Sequence, residues 1–193
     1  MVNELPKERM IKACLEGDEG AWKMLVNQYS KRIFNLSYQF SGSYQESEDM
    51  TQEIFVKVYN SLSKFDLSKN FDAWLLTLAR NQLIDQYRKT KWEKKIRDDY
   101  DENHLAANSH SDPLERHQKE ETRKFIWDGF NHLSSDTRMA VILRDIQGKK
   151  YEEISEIMNL PLGTIKSRIN RGRLQLAKVL KNKKEDRDEL SQH

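Results

Sequence analysis

The run "YEEISEIMNLPLGTIKSRINRGR", Tyr151 to Arg173, limits the possible folds more than any other part of the chain. With Tyr151 counted as position one, Ser155 stands fifth, Asn159 ninth and Ile165 fifteenth. A small residue lets two helices approach, and a residue tolerant of positive φ makes a turn between them. A branched apolar residue then fills their shared core. Leu160-Pro161 stops the first helix, because proline has no N–H to give and disfavours helix at the residue before it. The spacing predicts a helix-turn-helix built from helices at Tyr151–Met158 and Gly163–Leu180.

Helical spacing places Ile165, Ile169, Gly172 and Leu176 on the inner face of the second helix. Lys166, Ser167, Asn170, Arg171, Arg173 and Lys178 are left pointing outward. Lys and Arg suit guanine edges and phosphates, Asn suits adenine, and Ser can serve either. The amides near Gly163 and Thr164 can hold a phosphate at the helix N-terminus. A solvated basic helix packed on its apolar side would account for the charge. It would not account for that charge following so specific a turn, or for the mixture of amide, hydroxyl and guanidinium. The expected task is DNA contact in a major groove.

The remainder also reads as helical, so the fold class is all-α. With seven Gly and three Pro in 193 residues, long helices are feasible and a turn-rich β fold is disfavoured. Met10, Ile11, Cys14 and Leu15 form one apolar face, which ends at Gly17-Asp18. Ala21, Trp22, Leu25, Val26, Tyr29, Ile33, Phe34 and Leu36 recur at helical spacing in a second. The serines of "SGSYQESED" offer N-cap oxygens to a third helix from near Tyr44, with Ile54, Phe55, Val58 and Leu62 inside. After the loop "KFDLSKNFDAW", a fourth carries Phe71, Trp74, Leu75, Leu78 and Leu83 and runs out into basic residues.

Residues 96–119 are polar and weakly periodic, and such a stretch buries too little apolar area to offset chain entropy. They are expected to be a flexible linker between a domain at 1–95 and a four-helix unit at 120–184, with a polar tail at 185–193. In the second domain Phe125, Ile126, Trp127, Phe130 and Leu133 mark one helix. Ser134 or Ser135 caps the next, which carries Met139, Val141, Ile142, Leu143 and Ile146, and Gly148 stands at its C-terminal cap.

Net charge is only +2, but it is unevenly spread. Ser43–Glu53 holds Glu46, Glu48, Asp49 and Glu53 and no Lys or Arg. Arg80–Arg97 holds seven basic residues against Asp85 and Glu93. Asp49, Gln52 and Glu53 share a helix face that reads either as a docking surface for a basic protein or as ordinary solvated surface. In "FDAWLLTLARNQLIDQYRKTKW" Phe71 and Trp74 read first as core, and Arg88, Lys89, Lys91 and Lys94 as contacts to a duplex backbone. Asp85 and Arg88 can pair at i,i+3.

One cysteine, Cys14, excludes an internal disulfide and a multi-cysteine zinc site. His104, His110, His117 and His132 have no metal-ligand spacing, and no catalytic constellation or phosphate loop occurs, so no metal, cofactor or enzymatic activity is expected. No apolar run reaches the roughly 18–20 residues of a membrane span, and the N-terminus lacks a secretory signal. A cytoplasmic protein is the expectation.

In this order, "SEDMTQEIFVKVY", "FDAWLLTLARNQLIDQYRK" and "LSSDTRMAVILRDIQGKKYEEISEIMNLPLGTIKSRINRGRLQL" resemble a bacterial RNA polymerase sigma factor of the extracytoplasmic-function (ECF) type, of the sigma-70 family. The resemblance implies a two-domain transcription initiation factor. Its first domain would grip the clamp of core RNA polymerase through Asp49, Gln52 and Glu53. It would melt promoter DNA at the −10 element with a base-capture loop from Asp66 to Asn70, Phe71 and Trp74 beneath, and Asn81, Arg88 and Lys89 along the DNA. Its second domain would read the −35 element through Lys166, Ser167, Asn170 and Arg171, with Arg173 on a phosphate. An anti-sigma factor is a further implied partner.

Four positions depart from the family pattern: Ser134 for proline, Ser155 for alanine, Lys150 for the serine before Tyr151, and Met50 for leucine. The loss of a cap oxygen at Lys150 is expected to cost about 1 kcal/mol. A free-standing dimeric helix-turn-helix regulator would explain residues 120–184 but give the acidic helix no task. An all-helical adaptor or anti-sigma protein would explain the acidic helix but not the basic one.

Overall fold

The computed structural model describes residues 7–98, 126, 127 and 129–190. The chain divides into two units, Met1–Asp85 and Gln86–His193. Among the described residues every regular element is helical.

In the first unit, α1 (Lys7–Leu15) packs on α2 (Glu19–Ser41), and α2 on α3 (Tyr44–Ser61). A single 3-10 turn at Leu62–Lys64 leads toward α4 (Phe71–Asp98). Both ends of α2 and the start of α3 are where the sequence places them, each with an identifiable cap. Asp18 accepts a hydrogen bond from the Ala21 amide at the start of α2, and Gly42 closes that helix at φ 80°. Ser43 then accepts from the Glu46 amide to start α3.

Leu25, Tyr29, Ile33, Leu36 and Phe40 form a continuous buried stripe along α2. It meets Met50, Ile54 and Val58 of α3 and Leu75, Leu76, Ala79 and Leu83 of α4 in the core of the unit. Met50 is buried, as the leucine it replaces would be. Leu15 departs from the expected apolar face. It ends α1, where the chain turns away at Gly17 (φ 86°), and it stays 41% exposed.

Asp72, in the first turn of α4, ties three helices together. Its carboxylate pairs with Lys7 of α1 and, at 2.5 Å, with Arg32 of α2. Burial alone would raise its pKa, but the hydrogen bonds from the two cations hold it below the ordinary carboxylate value. A depressed folded-state pKa contributes stability above the unfolded value of about 3.9, and that stability is lost as pH falls through the folded value. Thermal melts of the wild type and Asp72→Asn should therefore differ at neutral pH and converge at strongly acid pH. A gap that does not change with pH would mean that the charge of Asp72 is not what stabilises the junction.

In the second unit, residues 126, 127 and 129–131 are helical. Ser134 rather than Ser135 is the N-cap of α5 (Ser135–Val141), accepting from the Thr137 amide. The helix then widens into a π-type turn at Ile142–Ile146. The Gln147 amide bonds to the Ile142 carbonyl, and Gly148 (φ 67°) ends the element. A π-turn inserts extra backbone, which turns the later side chains away from the face that the earlier ones share. Ile146, expected inside, is consequently 47% exposed.

Arg138 of α5 is 1% exposed, although nothing in the spacing marks it as a core residue. Its guanidinium donates to the Phe130 carbonyl, to Asn131 Oδ1 and to the Tyr87 hydroxyl, and it lies 4.6 Å from the Tyr87 ring centre. Those partners are what allow a cation to be buried.

The chain continues into α6 (Tyr151–Met158) and α7 (Leu162–Leu190). α7 runs ten residues beyond the expected end at Leu180, because 181–190 contain neither Gly nor Pro and are mostly good helix formers. Of the linker read at 96–119, residues 96–98 belong to α4 and the others lie outside the described residues, as do His104, His110 and His117.

Candidate DNA-binding and protein-docking surfaces

The turn between α6 and α7 has the geometry its residue types require. Asn159 adopts φ 50°, ψ 50°, the left-handed conformation, and is the only described non-glycine residue with positive φ. Ser155 does more than stay small. Its hydroxyl donates to the Leu160 carbonyl across the turn, a bond that alanine cannot make. Ser155→Ala is expected to cost about 1 kcal/mol in thermal or urea unfolding. An unchanged midpoint would show that the hydroxyl contributes only its size.

Lys150 has no cap oxygen, but its own amide donates to Glu153 Oε2 at 2.8 Å, while Lys149 Nζ reaches Glu153 Oε1 at 2.9 Å. Hydrogen bonds from Lys149 first, and then from the Lys150 amide, hold the Glu153 carboxyl below its usual pKa. This half of a capping box offsets part of the cost expected from losing serine.

Ile165, Ile169 and Gly172 are buried under α7 and Leu176 is half-buried, while Thr164, Lys166, Ser167, Asn170, Arg171, Arg173 and Lys178 are all exposed. The outward face read from the sequence therefore faces outward. Gly172 sets how closely α7 approaches α5. A Cβ there would stand 2.7 Å from both Thr137 Cγ2 and Val141 Cγ2. These methyls belong to stiff β-branched side chains. Gly172→Ala should lower stability by about 1 kcal/mol or more, despite alanine's better helix propensity, because overpacking outweighs it. A stabilised variant in chemical unfolding would contradict this packing.

Two cations of this face have partners within the unit. Arg173 pairs with Asp145 through Nε at 3.0 Å and also through Nη2, and the bonds to Asp145 raise its pKa. Arg171 Nη2 donates to Ser167 Oγ at 3.1 Å. A phosphate at Arg173 would have to displace or share the aspartate. Arg88, which by spacing could pair with Asp85, pairs with Asp136 at 2.8 Å, and Arg168 stands 3.5 Å from the same carboxylate. Asp136 sits in the first turn of α5, where a helix N-terminus already favours negative charge, and it draws both guanidinium groups.

In the first unit Asp49, Gln52 and Glu53 are exposed on one face of α3, with Met50, Ile54 and Val58 buried behind them. The loop before α4 is held by its own polar side chains. Asp66 Oδ1 accepts from the Ser68 amide (3.0 Å) and hydroxyl (2.8 Å), and these bonds lower its pKa. Asn70 Oδ1 accepts from the Ala73 amide at 3.2 Å and so caps α4. The Asp-x-Ser spacing and an Asn just before an apolar run are the sequence signals for these two bonds.

Phe71 is buried, with ring centres 5.5 Å from Tyr29, 5.4 Å from Phe65 and 5.5 Å from Trp74. Phe71 is thus a core residue, as expected from the sequence, while Trp74 is half-buried. Asn81 accepts from Arg80 at 2.7 Å, and Arg88 and Lys89 are exposed further along α4. Among the described residues no helix is long and apolar enough to cross a membrane, and no cluster of His, Cys, Asp or Glu could hold a metal ion.

These features define an all-helical protein with a helix-turn-helix that exposes a basic face in one unit and an acidic helix face in the other. Comparisons with known proteins give the class a family. Residues 25–93 match the model for Sigma-70 region 2 and residues 126–176 that for Sigma-70, region 4. The chain is 31% identical over 190 residues to the ECF RNA polymerase sigma factor SigW of Bacillus subtilis, covering 93% of this chain and 99% of that protein. It is 33% identical over 172 residues to the ECF RNA polymerase sigma factor SigE of Mycolicibacterium smegmatis, covering 85% of this chain but 64% of that longer protein.

Among solved structures, the sigma factor RpoE of Bartonella quintana, in complex with the anti-sigma factor NepR, aligns with a TM-score of 0.62 and 28% identity. The alignment covers 82% of this chain and 96% of that one. The chain belongs to the ECF RNA polymerase sigma factors.

Proposed function

We propose that this chain is a transcription initiation factor that binds core RNA polymerase and directs it to promoters carrying matched −10 and −35 elements. The observation that carries the reading is the pairing of two unlike surfaces in one chain. The exposed Asp49–Gln52–Glu53 face of α3 suits a basic protein partner, and the outward face of α7 suits the edges of base pairs.

Each residue has a definite part. Asp49, Gln52 and Glu53 dock on the polymerase clamp. Lys166, Ser167, Asn170 and Arg171 read the −35 element from the major groove, and the α7 N-terminus at Thr164 takes a phosphate. Arg173 reaches a phosphate by exchanging Asp145 for it. The Asp66–Asn70 loop, floored by Phe71 and Trp74, receives a base extruded from the −10 element, with Asn81, Arg88 and Lys89 following the backbone.

No covalent bond is made or broken in promoter recognition. Contacts at two elements, on a factor carried by polymerase, offset the cost of unstacking DNA, and tethering raises the effective concentration of each weak module at its site. The setting is the cytoplasm, and an anti-sigma protein that covers one of the two surfaces is the matching regulator. Pull-down with core polymerase, followed by run-off transcription from a promoter library, tests the reading. Retention on polymerase and transcripts that start at a shared two-element sequence are expected. A chain that neither binds polymerase nor supports a start site has another function.

A further inference from the structure

One side chain of α4 reaches across to the acidic face of α3. Gln82 Nε2 donates to Glu53 Oε2 at 2.8 Å, and Gln82 Oε1 accepts from Lys57 Nζ at 3.0 Å. The amide thus stands between an anion and a cation of the same helix, each bonded to the end of opposite polarity. Glu53 and Lys57 are four residues apart with the glutamate first, the order that favours a direct ion pair on a helix. Among the described residues Lys57 bonds to the amide of Gln82 instead of to that carboxylate.

Resting on the docking role of Glu53, we propose that Gln82 is a positioning residue for polymerase binding: it fixes the Glu53 carboxylate and keeps Lys57 from neutralising it. A neutral amide orients the carboxylate while leaving its full charge for a basic partner. The bond engages Oε2 alone. Without the amide, the glutamate regains rotamer freedom that docking must then remove, and the lysine is free to swing onto it. Gln82 is half-buried and lies outside the Asp49–Gln52–Glu53 face, so its effect on binding passes through Glu53.

The test measures affinity for core RNA polymerase, together with a thermal melt, for the wild type, Glu53→Gln, Gln82→Met, Lys57→Met and the double variant Gln82→Met/Lys57→Met. Methionine matches the length of glutamine, falls one atom short of lysine, and removes the polar end of each. Gln82→Met is expected to bind about 3–10-fold more weakly, the range for one unfixed side chain at an interface. The double variant should bind more tightly than Gln82→Met, because no lysine can swing onto Glu53, yet stay weaker than the wild type, because the carboxylate is still unfixed. Lys57→Met alone, with the amide intact, should bind at least as tightly as the wild type. It therefore reads the proposal even if Gln82→Met is poorly folded.

Wild-type affinity in Gln82→Met, a loss that adding Lys57→Met does not relieve even in part, or weakened binding by Lys57→Met alone each overturns the proposal. The last two results would make the bridge a simple staple between helices. If Glu53→Gln itself binds normally, the docking role fails and this inference falls with it. If Glu53→Gln is weak and Gln82→Met is not, only the inference fails.

Discussion

Arg171→Ala is expected to cost about 1–3 kcal/mol on promoters that carry the matched base at one −35 position, and to relax discrimination at that position alone. The expectation rests on where α7 puts the residue. Arg171 is exposed two residues past buried Ile169, and its bond to Ser167 Oγ at 3.1 Å is easily exchanged for a base edge. A competition assay over single-base variants of the −35 element measures the effect. A loss of equal size on every sequence would move Arg171 from base reading to phosphate holding and would shift specificity toward Lys166 and Asn170. Arg173 offers the contrast, since its bonds to Asp145 make it a candidate for uniform, salt-dependent loss.

Glu53→Lys should weaken binding to core polymerase by about 2 kcal/mol or more, roughly 30-fold, because it places like charge against a basic partner. The position is exposed, and the helix behind it is fixed by Met50, Ile54 and Val58, so the circular dichroism spectrum and melting midpoint should stay near those of the wild type. Unchanged affinity in a folded variant would remove Glu53 from the docking surface. A loss of both affinity and fold would leave Asp49→Lys, on the same exposed face, as the cleaner test.

The apolar spacing is enough to place nearly every helix, because burial on one side imposes a period that survives any detail of packing. The turn of the helix-turn-helix is legible in its residue types: the left-handed Asn159, the inner Ile165 and Ile169, and the exposed outward face all obey steric rules that act over a few residues. The features hidden in the sequence depend on contacts between distant segments. Nothing in the spacing marks Arg138 as buried, because Phe130, Asn131 and Tyr87, which hold it, are remote or unpatterned in the sequence. Arg88 reads as a partner for Asp85 until Asp136 comes within 2.8 Å. Ile146 falls outside the core because a π-turn, which leaves no mark in hydrophobic spacing, shifts the register.

The candidate sites divide in the same way. Residue types and helix faces identify which side chains are offered to partners. The structure adds which of them are already engaged: Asp66 with Ser68, Asn70 with the start of α4, Arg173 with Asp145, and Glu53 with Gln82. The first two engagements make the loop before α4 a preformed feature. Under the proposed base-receiving role, a base would meet a shape already set by the chain rather than one it must induce.

The most direct test is an electrophoretic and transcription assay on one promoter, with and without core polymerase, using the full chain. The protein alone should bind that DNA weakly and without a twofold-symmetric footprint. Added polymerase should give a stable complex protected at both elements, an open −10 region and a defined transcript. Tight binding of the isolated chain to a palindrome as a dimer, unaffected by polymerase, would contradict the account and leave a conventional operator-binding regulator in its place.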